Sequence, residues 1–286
     1  RVVSFSRNFG KESAIYAGLQ AARGECAAFS TACSSSSLAL AEACNAIVSG
    51  QCDAAVVVGV DALSRITVNG FGSLLLLSQG KCRPFDKDRD GINLGEAAGV
   101  AVLCADEFLG GAKPKAYIAG WARTCDAYHA TAPSPDGAGA ARAFENALEC
   151  AGIAPEKISY YNAHGTATKG NDSAEGAALR KIFGGNIPPV SSLKRVFGHT
   201  LGASGIVNAI VSAEAMGRSL IPPNAGFENF DETTGVHPAE SAKNAEVENV
   251  LSVSLGFGGN NGAVVLSRER PQAKLRYGSR RIFVYG

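Results

Sequence analysis

The sequence predicts an α/β fold in which sheets and helices stack in layers. Three observations point there. Short apolar runs alternate along the chain with segments of helical period. The strand-like runs are continuously apolar rather than alternating, as in Asp53–Val60. The 286 residues are 46% hydrophobic, which is enough for a full core. Continuous apolar strands belong to sheets covered on both faces, and strand–helix alternation belongs to layered α/β chains with right-handed crossovers.

In chain order, Ala27–Thr31 reads as a strand. Ser35–Ser49 reads as a helix, with Leu38, Ala41, Cys44 and Val48 at helical spacing. Asp53–Val60, Gly99–Cys104 and Ala116–Ala122 read as strands. Gly137–Cys150 is helical, Ile158–Asn162 a strand and Asp172–Phe183 a helix. Pro189–Ser192 is a short strand, Leu201–Met216 a helix rich in small residues, and Val250–Leu255 and Ala263–Ser267 are closing strands.

Composition removes several function classes. Lys and Arg number 27 against 26 Asp and Glu, so no global charge draws the chain to nucleic acid or an anionic membrane. No apolar run approaches the roughly 20 residues of a membrane span. Residue 1 is Arg and no signal-peptide pattern opens the chain, which suggests that the natural N-terminus lies further upstream. The eight cysteines form no C-x-x-C pair and several sit inside apolar runs. They read as scattered thiols in a reducing, cytoplasmic setting, and no His/Cys spacing suits zinc.

Four residues carry the chemical signal. Cys33 stands where the first strand pattern gives way to a helix, among Thr31, Ala32 and Ser34–Ser37. A lone cysteine is ordinarily inert packing. Here a helix start favours the thiolate, and the small neighbours leave backbone N–H groups where an oxyanion can sit. His164 lies in Asn162-Ala-His-Gly-Thr-Ala-Thr168, followed by two hydroxyls, Thr166 and Thr168, that suit an amide-rich ligand arm. Lys194 and His199 share one loop leading into Gly202-Ala-Ser-Gly205. A thiol with two histidines is equipment for acyl transfer with carbon–carbon bond formation.

Other motifs have plainer readings. Asp172 and Glu175 open a helix where carboxylates suit the dipole, and capping explains Asp172. Glu175 either caps or holds a lysine. Gly256-Phe-Gly-Gly-Asn-Asn-Gly262 fails the dinucleotide spacing and is a tight turn or a flexible gate built on Phe257. Asp86, Asp88, Asp90 and Gly91 imitate a calcium loop, but Ala97 stands at its twelfth position, so the segment reads as a structural loop.

Taken together, Thr31-Ala-Cys33, Asp86…Arg89-Asp-Gly91…Gly95-Glu96, Asp126-Ala-Tyr-His129, the His164 and Lys194…His199 motifs and Gly256-Phe-Gly-Gly259 resemble the type II β-ketoacyl-acyl-carrier-protein synthases, members of the thiolase-fold condensing enzymes. They occur in family order. The resemblance implies a thiolase-like αβαβα fold with an incomplete N-terminal half, because family members carry well over a hundred residues before the cysteine and this chain has 32. It implies residues 1–110 as the remainder of the N-terminal half with the nucleophile, 111–267 as the C-terminal half, and 268–286 as a basic tail. In the roles it implies, Cys33 holds the acyl chain as a thioester. His164 and His199 decarboxylate malonyl carrier and stabilise the enolate. Lys194 supports the histidines and is held by Glu175. Phe257 gates the pocket and lends its N–H as an oxyanion donor, Thr166 and Thr168 touch the phosphopantetheine arm, and Phe71 lines the pocket or packs in the core.

By the same resemblance no cofactor or metal is bound, and the substrate rides on the phosphopantetheine of acyl carrier protein. The expected partners are that carrier and a second ketosynthase-like subunit in a homodimer or heterodimer. Two alternatives stay open: a non-catalytic ketosynthase-like subunit that binds the carrier, and a CoA-dependent thiolase or acyltransferase of the same fold. Leu255 stands where many relatives have Phe, which alters the gate. The segment Ser279–Gly286 looks like the opening strand of another synthase, or a strand that replaces the first strand of its own sheet. Exposed sheet edges predict poor solubility.

Overall fold

The computed structural model describes residues 24–271 and 282–285. Its strands are β1 (Ala54–Asp61), β2 (Ala97–Ala105), β3 (Ala116–Cys125), β4 (Tyr160–Asn162), β5 (Val190–Ser191), β6 (Leu220–Ile221), β7 (Lys243–Asn244), β8 (Asn249–Leu255), β9 (Asn260–Ser267) and β10 (Ile282–Tyr285). Its helices are α1 (Ser35–Val48), α2 (Arg65–Ser73), α3 (Ala138–Ala151), α4 (Lys169–Phe183), α5 (Lys194–Phe197) and α6 (Ser204–Arg218). One eight-stranded sheet runs β1-β2-β10-β3-β9-β8-β4-β5. Pairing is antiparallel from β1 through β8 and parallel at β8–β4–β5.

Helices α1 and α6 form the middle layer. In α1, Leu40, Ala41, Cys44, Ile47 and Val48 are buried at helical spacing. Neighbouring serines of α1 look to opposite sides. Ser36 meets α6 and β1, and Ser37 bonds Ser254 of β8 at 2.8 Å. The two helices cross closely because residue 205 is glycine: a Cβ there would stand 2.2 Å from Ser37 Oγ. A second core joins α3 and α4 to the far face of β3, β8 and β9, around Phe144, Leu179 and Tyr161. The one sheet wraps the middle helices: its β1–β2 edge lies on one side of α1 and α6, its β3-β9-β8-β4-β5 stretch on the other with β10 joining them, and α3 and α4 cover the far face of that stretch.

Several expectations change here. Residues 27–31 form no strand, because no described strand lies beside them to complete a ladder. β1 is not covered on both faces: Val56, Val58 and Val60 are 66%, 55% and 38% exposed, and Val100 of β2, opposite Val58, is 56% exposed. Helix α2 had no apolar periodicity to announce it, and none of its residues is buried. Ser64 caps it, accepting from the Thr67 N–H. Asp172 does not cap α4. That helix starts at Lys169 under a Thr168 cap, and Asp172 instead accepts from the Phe85 and Ala167 N–H groups in the interior.

The segment Asp86–Gly91 is a structural loop. Asp86 accepts from the backbone N–H groups of Asp88, Glu228 and Asn229. Arg89 is buried against Asp231 and Asp172. β10 lies between β2 and β3, with Ile282 opposite Ala105 and Ile118, so this strand joins the chain's own sheet. The remainder of the basic tail, residues 272–281 and 286, lies outside the described residues, as do residues 1–23 of the N-terminal half.

Candidate active site

Cys33 occupies a single 3-10 turn, Ala32–Ser34, that opens α1. Its sulfur stands 2.9 Å from His199 Nε2. His199 reaches it from the turn before α6, and His164 from the loop after β4. The two imidazoles meet edge to face with centroids 5.2 Å apart. All three side chains are buried. Three distant segments thus bring the thiol and the two histidines to one buried point.

Hydrogen bonds set the histidine tautomers. The Leu201 N–H donates to His199 Nδ1 at 3.3 Å, so that nitrogen accepts and the ring proton sits on Nε2, facing Cys33. Ser204 Oγ lies 2.9 Å from the same Nδ1. The Lys194 ammonium donates to the His164 carbonyl oxygen and stands 3.5 Å from His164 Nδ1. An ammonium only donates, so His164 also carries its proton on Nε2. Burial lowers the pKa of both rings, with the Lys194 charge adding to it, so both are neutral donors. Burial lowers Lys194 as well, against the attraction of Glu175 and Cys33.

Burial outweighs the helix-start effect at Cys33. Its thiol is pushed up to about 11 by desolvation, while Lys194 and the N–H groups of Phe257 and Cys33 pull the other way. Those two N–H groups sit at the sulfur, where a carbonyl attached to it would find oxyanion donors. Phe257 lies in a turn whose Gly258 has φ +80, a conformation open to glycine. Its ring stacks on Phe71 of α2 with centroids 5.6 Å apart. The pair closes one side of a cavity that also borders Cys33, His164, Thr166, Thr168 and Leu255. Phe71 is therefore a pocket residue and not a core one.

Glu175 does not hold Lys194. Its carboxylate accepts from the backbone N–H groups of His164 and Gly165, from the Tyr161 hydroxyl at 2.9 Å and from Asn171. It fixes the His164 loop rather than the lysine, to which it contributes only charge at a distance. Burial raises its pKa against these donors. Thr166 and Thr168 bond each other at 2.9 Å beside the cavity. Asp126 accepts from Asn261 and from the Ser134 N–H, tying the pocket rim to β9.

The sequence reading missed Ser204 and Ser192. Ser204 was visible only as a small residue near His199. The Ser192 hydroxyl donates to the Gly165 carbonyl at 2.6 Å, a contact between loops that no local pattern announces. Leu76 and Ile92 also line the cavity unannounced.

Comparison with known proteins places this arrangement. Residues 13–108 match the β-ketoacyl synthase N-terminal domain and residues 115–228 its C-terminal domain. The chain belongs to the β-ketoacyl synthase family. It is 39% identical over 244 residues to the 3-oxoacyl-[acyl-carrier-protein] synthase 2 of Synechocystis, covering 81% of this chain and 58% of that protein. Against the Vibrio cholerae enzyme of the same name it is 38% identical, covering 86% and 63%. Among solved structures it resembles the ishigamide ketosynthase/chain length factor, with TM-score 0.85, 34% identity and coverage of 90% and 64%. The chain thus spans about 60% of the length of these β-ketoacyl synthases.

Proposed function

We propose that this ketosynthase-family chain carries out decarboxylative Claisen condensation of a Cys33-bound acyl group with malonyl-acyl carrier protein, in fatty acid or polyketide/aryl polyene-type biosynthesis. The observation that carries the reading is the neutral pair His164 and His199, both presenting Nε2–H beside the Cys33 sulfur. In the first step the Cys33 sulfur attacks the carrier thioester and the carrier thiol leaves with the proton. The oxyanion is held by the N–H groups of Cys33 and Phe257. In the second, the two Nε2–H groups hold the thioester oxygen of malonyl carrier. Its carboxylate C–C bond breaks to release CO2, and the electron pair forms an enolate. The enolate carbon then attacks the Cys33 acyl carbonyl and the cysteine sulfur leaves.

Lys194 fixes His164 through its carbonyl and Nδ1. Thr166 and Thr168 face the phosphopantetheine arm, which brings the substrate so that no bound cofactor is needed. Phe71 and Phe257 part to admit the acyl chain. The partners on this reading are acyl carrier protein and a second ketosynthase-like subunit, identical or different. Solved relatives include a ketosynthase in complex with its chain length factor from Xenorhabdus doucetiae and one in complex with an acyl-carrier protein, which supports both partners. No described helix is long and apolar enough to cross a membrane, in keeping with work on a carrier in the cytoplasm.

The test is intact mass after incubation with a medium-chain acyl-carrier thioester, run beside Cys33→Ala, together with CO2 release from labelled malonyl carrier. One acyl adduct that vanishes in the variant, plus CO2, is the expected result. A folded protein with no adduct is either a carrier-binding subunit or a truncated, inactive enzyme, and repeating the test with the upstream segment restored separates the two. An adduct without CO2 identifies a thiolase or acyltransferase.

A further inference from the structure

The backbone of His199 is fixed by the stretch beside it. Its N–H donates to the Asn93 carbonyl at 2.6 Å, and its carbonyl accepts from the Gly95 N–H at 3.0 Å. The side chain keeps its own freedom, and a half-turn of the ring or a move of its proton takes Nε2–H away from Cys33. Two donors to Nδ1 oppose both changes: the Leu201 N–H at 3.3 Å and the Ser204 hydroxyl at 2.9 Å. Helix formation does not account for Ser204. It is the first residue of α6 and buried, at a position that helix propensity fills better with alanine. A helical serine ordinarily turns its hydroxyl to solvent or to a carbonyl of the preceding turn. The partners of this one are His199 Nδ1 and the Thr200 hydroxyl, 3.2 Å away and also buried.

The directions of these bonds follow from one another. The Leu201 N–H makes Nδ1 an acceptor, so the Ser204 O–H donates to it. The Ser204 oxygen then accepts from the Thr200 O–H, and a hydroxyl that accepts one hydrogen bond donates the next more strongly. We propose that Ser204, backed by Thr200, is a positioning residue that keeps the His199 proton on Nε2 and aims it at Cys33. With Nδ1 occupied, the ring offers a fixed N–H to the thioester oxygen of malonyl carrier. Without the hydroxyl, the tautomer with a bare Nε2 gains population, and that nitrogen turns a lone pair towards an oxygen that needs a donor. Leu201 still opposes the change, so the loss is partial. The effect on rate rests on the condensation reading above, whereas the hydrogen bond does not.

The test uses Ser204→Ala, which removes only the hydroxyl, Ser204→Thr, which restores it, and Thr200→Val, which removes the backing donor. Two quantities are read: the His199 Nδ1 resonance by nitrogen NMR on the protein without substrate, and kcat and KM for CO2 release from malonyl carrier. In Ser204→Ala the Nδ1 resonance moves downfield, as an unprotonated ring nitrogen does on losing a donor. In the same variant kcat falls about two- to tenfold with KM unchanged, the worth of one hydrogen bond. Ser204→Thr stays at the wild-type values, and Thr200→Val lies between. If the threonine does not fit, Ser204→Cys takes its place as a weaker donor and lies between alanine and wild type. An Nδ1 resonance that stays put in Ser204→Ala overturns the proposal. So does a moved resonance with unchanged kcat, or a loss of kcat that no hydroxyl or thiol at position 204 repairs. A wild type that releases no CO2 overturns the condensation reading instead, and the Nδ1 resonance alone then decides for Ser204.

Discussion

Strands β1 and β9 carry the same kind of sequence and meet different surroundings. β1 reads Ala-Ala-Val-Val-Val-Gly-Val-Asp, and β9 reads Asn-Asn-Gly-Ala-Val-Val-Leu-Ser. Every residue of β9 after Asn260 is buried, whereas alternate residues of β1 face solvent. The middle helices cover the inner face of both. The far side of β9 receives α3, and the far side of β1 receives nothing among the described residues. A continuous apolar run therefore states what both faces of a strand suit, not what covers them. The site lies between the two: Cys33 heads α1 of the middle layer, while His164 and Phe257 follow β4 and β8 of the packed stretch.

The sharpest way to separate the two contributions is kinetic. On the proposed function, His164→Ala removes an enolate donor and leaves Cys33 and its N–H groups in place. CO2 release from malonyl carrier should fall by about 10²–10⁴-fold while the Cys33 acyl adduct still forms, as read by labelled CO2 and intact mass. Equal loss of both would mean that His164 also serves acyl transfer to Cys33.

The structural contrast comes next. Leu251→Ala, at a fully buried position of β8, should lower unfolding free energy by about 2–5 kcal/mol in denaturant titration. Val58→Thr on the exposed face of β1 should stay within roughly 0.5 kcal/mol. If the β1 change is as costly as the β8 change, something covers that face in solution.

Glu175→Gln keeps the size of the side chain and removes the charge that the His164 and Gly165 N–H groups meet. A loss of about 1.5–3 kcal/mol is expected. Lower CO2 release should accompany it, because the His164 loop loosens. Wild-type stability would mean that the Glu175 charge does not fix the His164 loop.

The smallest effect concerns pH. The Cys33 thiol is raised from 9.0 to about 11 by burial, so the folded state keeps its proton where the unfolded chain has lost it. Its contribution to stability is present below pH 9.0 and is lost as pH rises through about 11. Alkylation of Cys33 by iodoacetamide should accelerate over the same window. A midpoint near or below 9.0 would show that Lys194 outweighs desolvation.

Much of this site was legible in the chain. Cys33, His164 and His199 stood out because each sits beside small or glycine residues at a strand or helix boundary, where side chains reach a common point, and Lys194 stood out because it shares the His199 loop. Phe257 read as a gate and Phe71 as either a pocket or a core residue, and their stacking was not foreseeable from positions so far apart. The role of Glu175 was misread because a helix-opening carboxylate looks alike whether it caps, binds a lysine or fixes a loop. Only the folded chain shows that the His164 and Gly165 amides lie nearest to it.

The sequence by itself determined the alternation of strands and helices, the core composition and the four reactive side chains, since period and residue chemistry are local properties. The tertiary structure decided the rest. It set the tautomers of both histidines through Leu201 and Lys194, and it raised the Cys33 thiol through burial. It also gathered Cys33, His164 and His199 from distant positions into one buried cluster. Each of these depends on which distant atoms come within a few ångströms, and no local pattern encodes that.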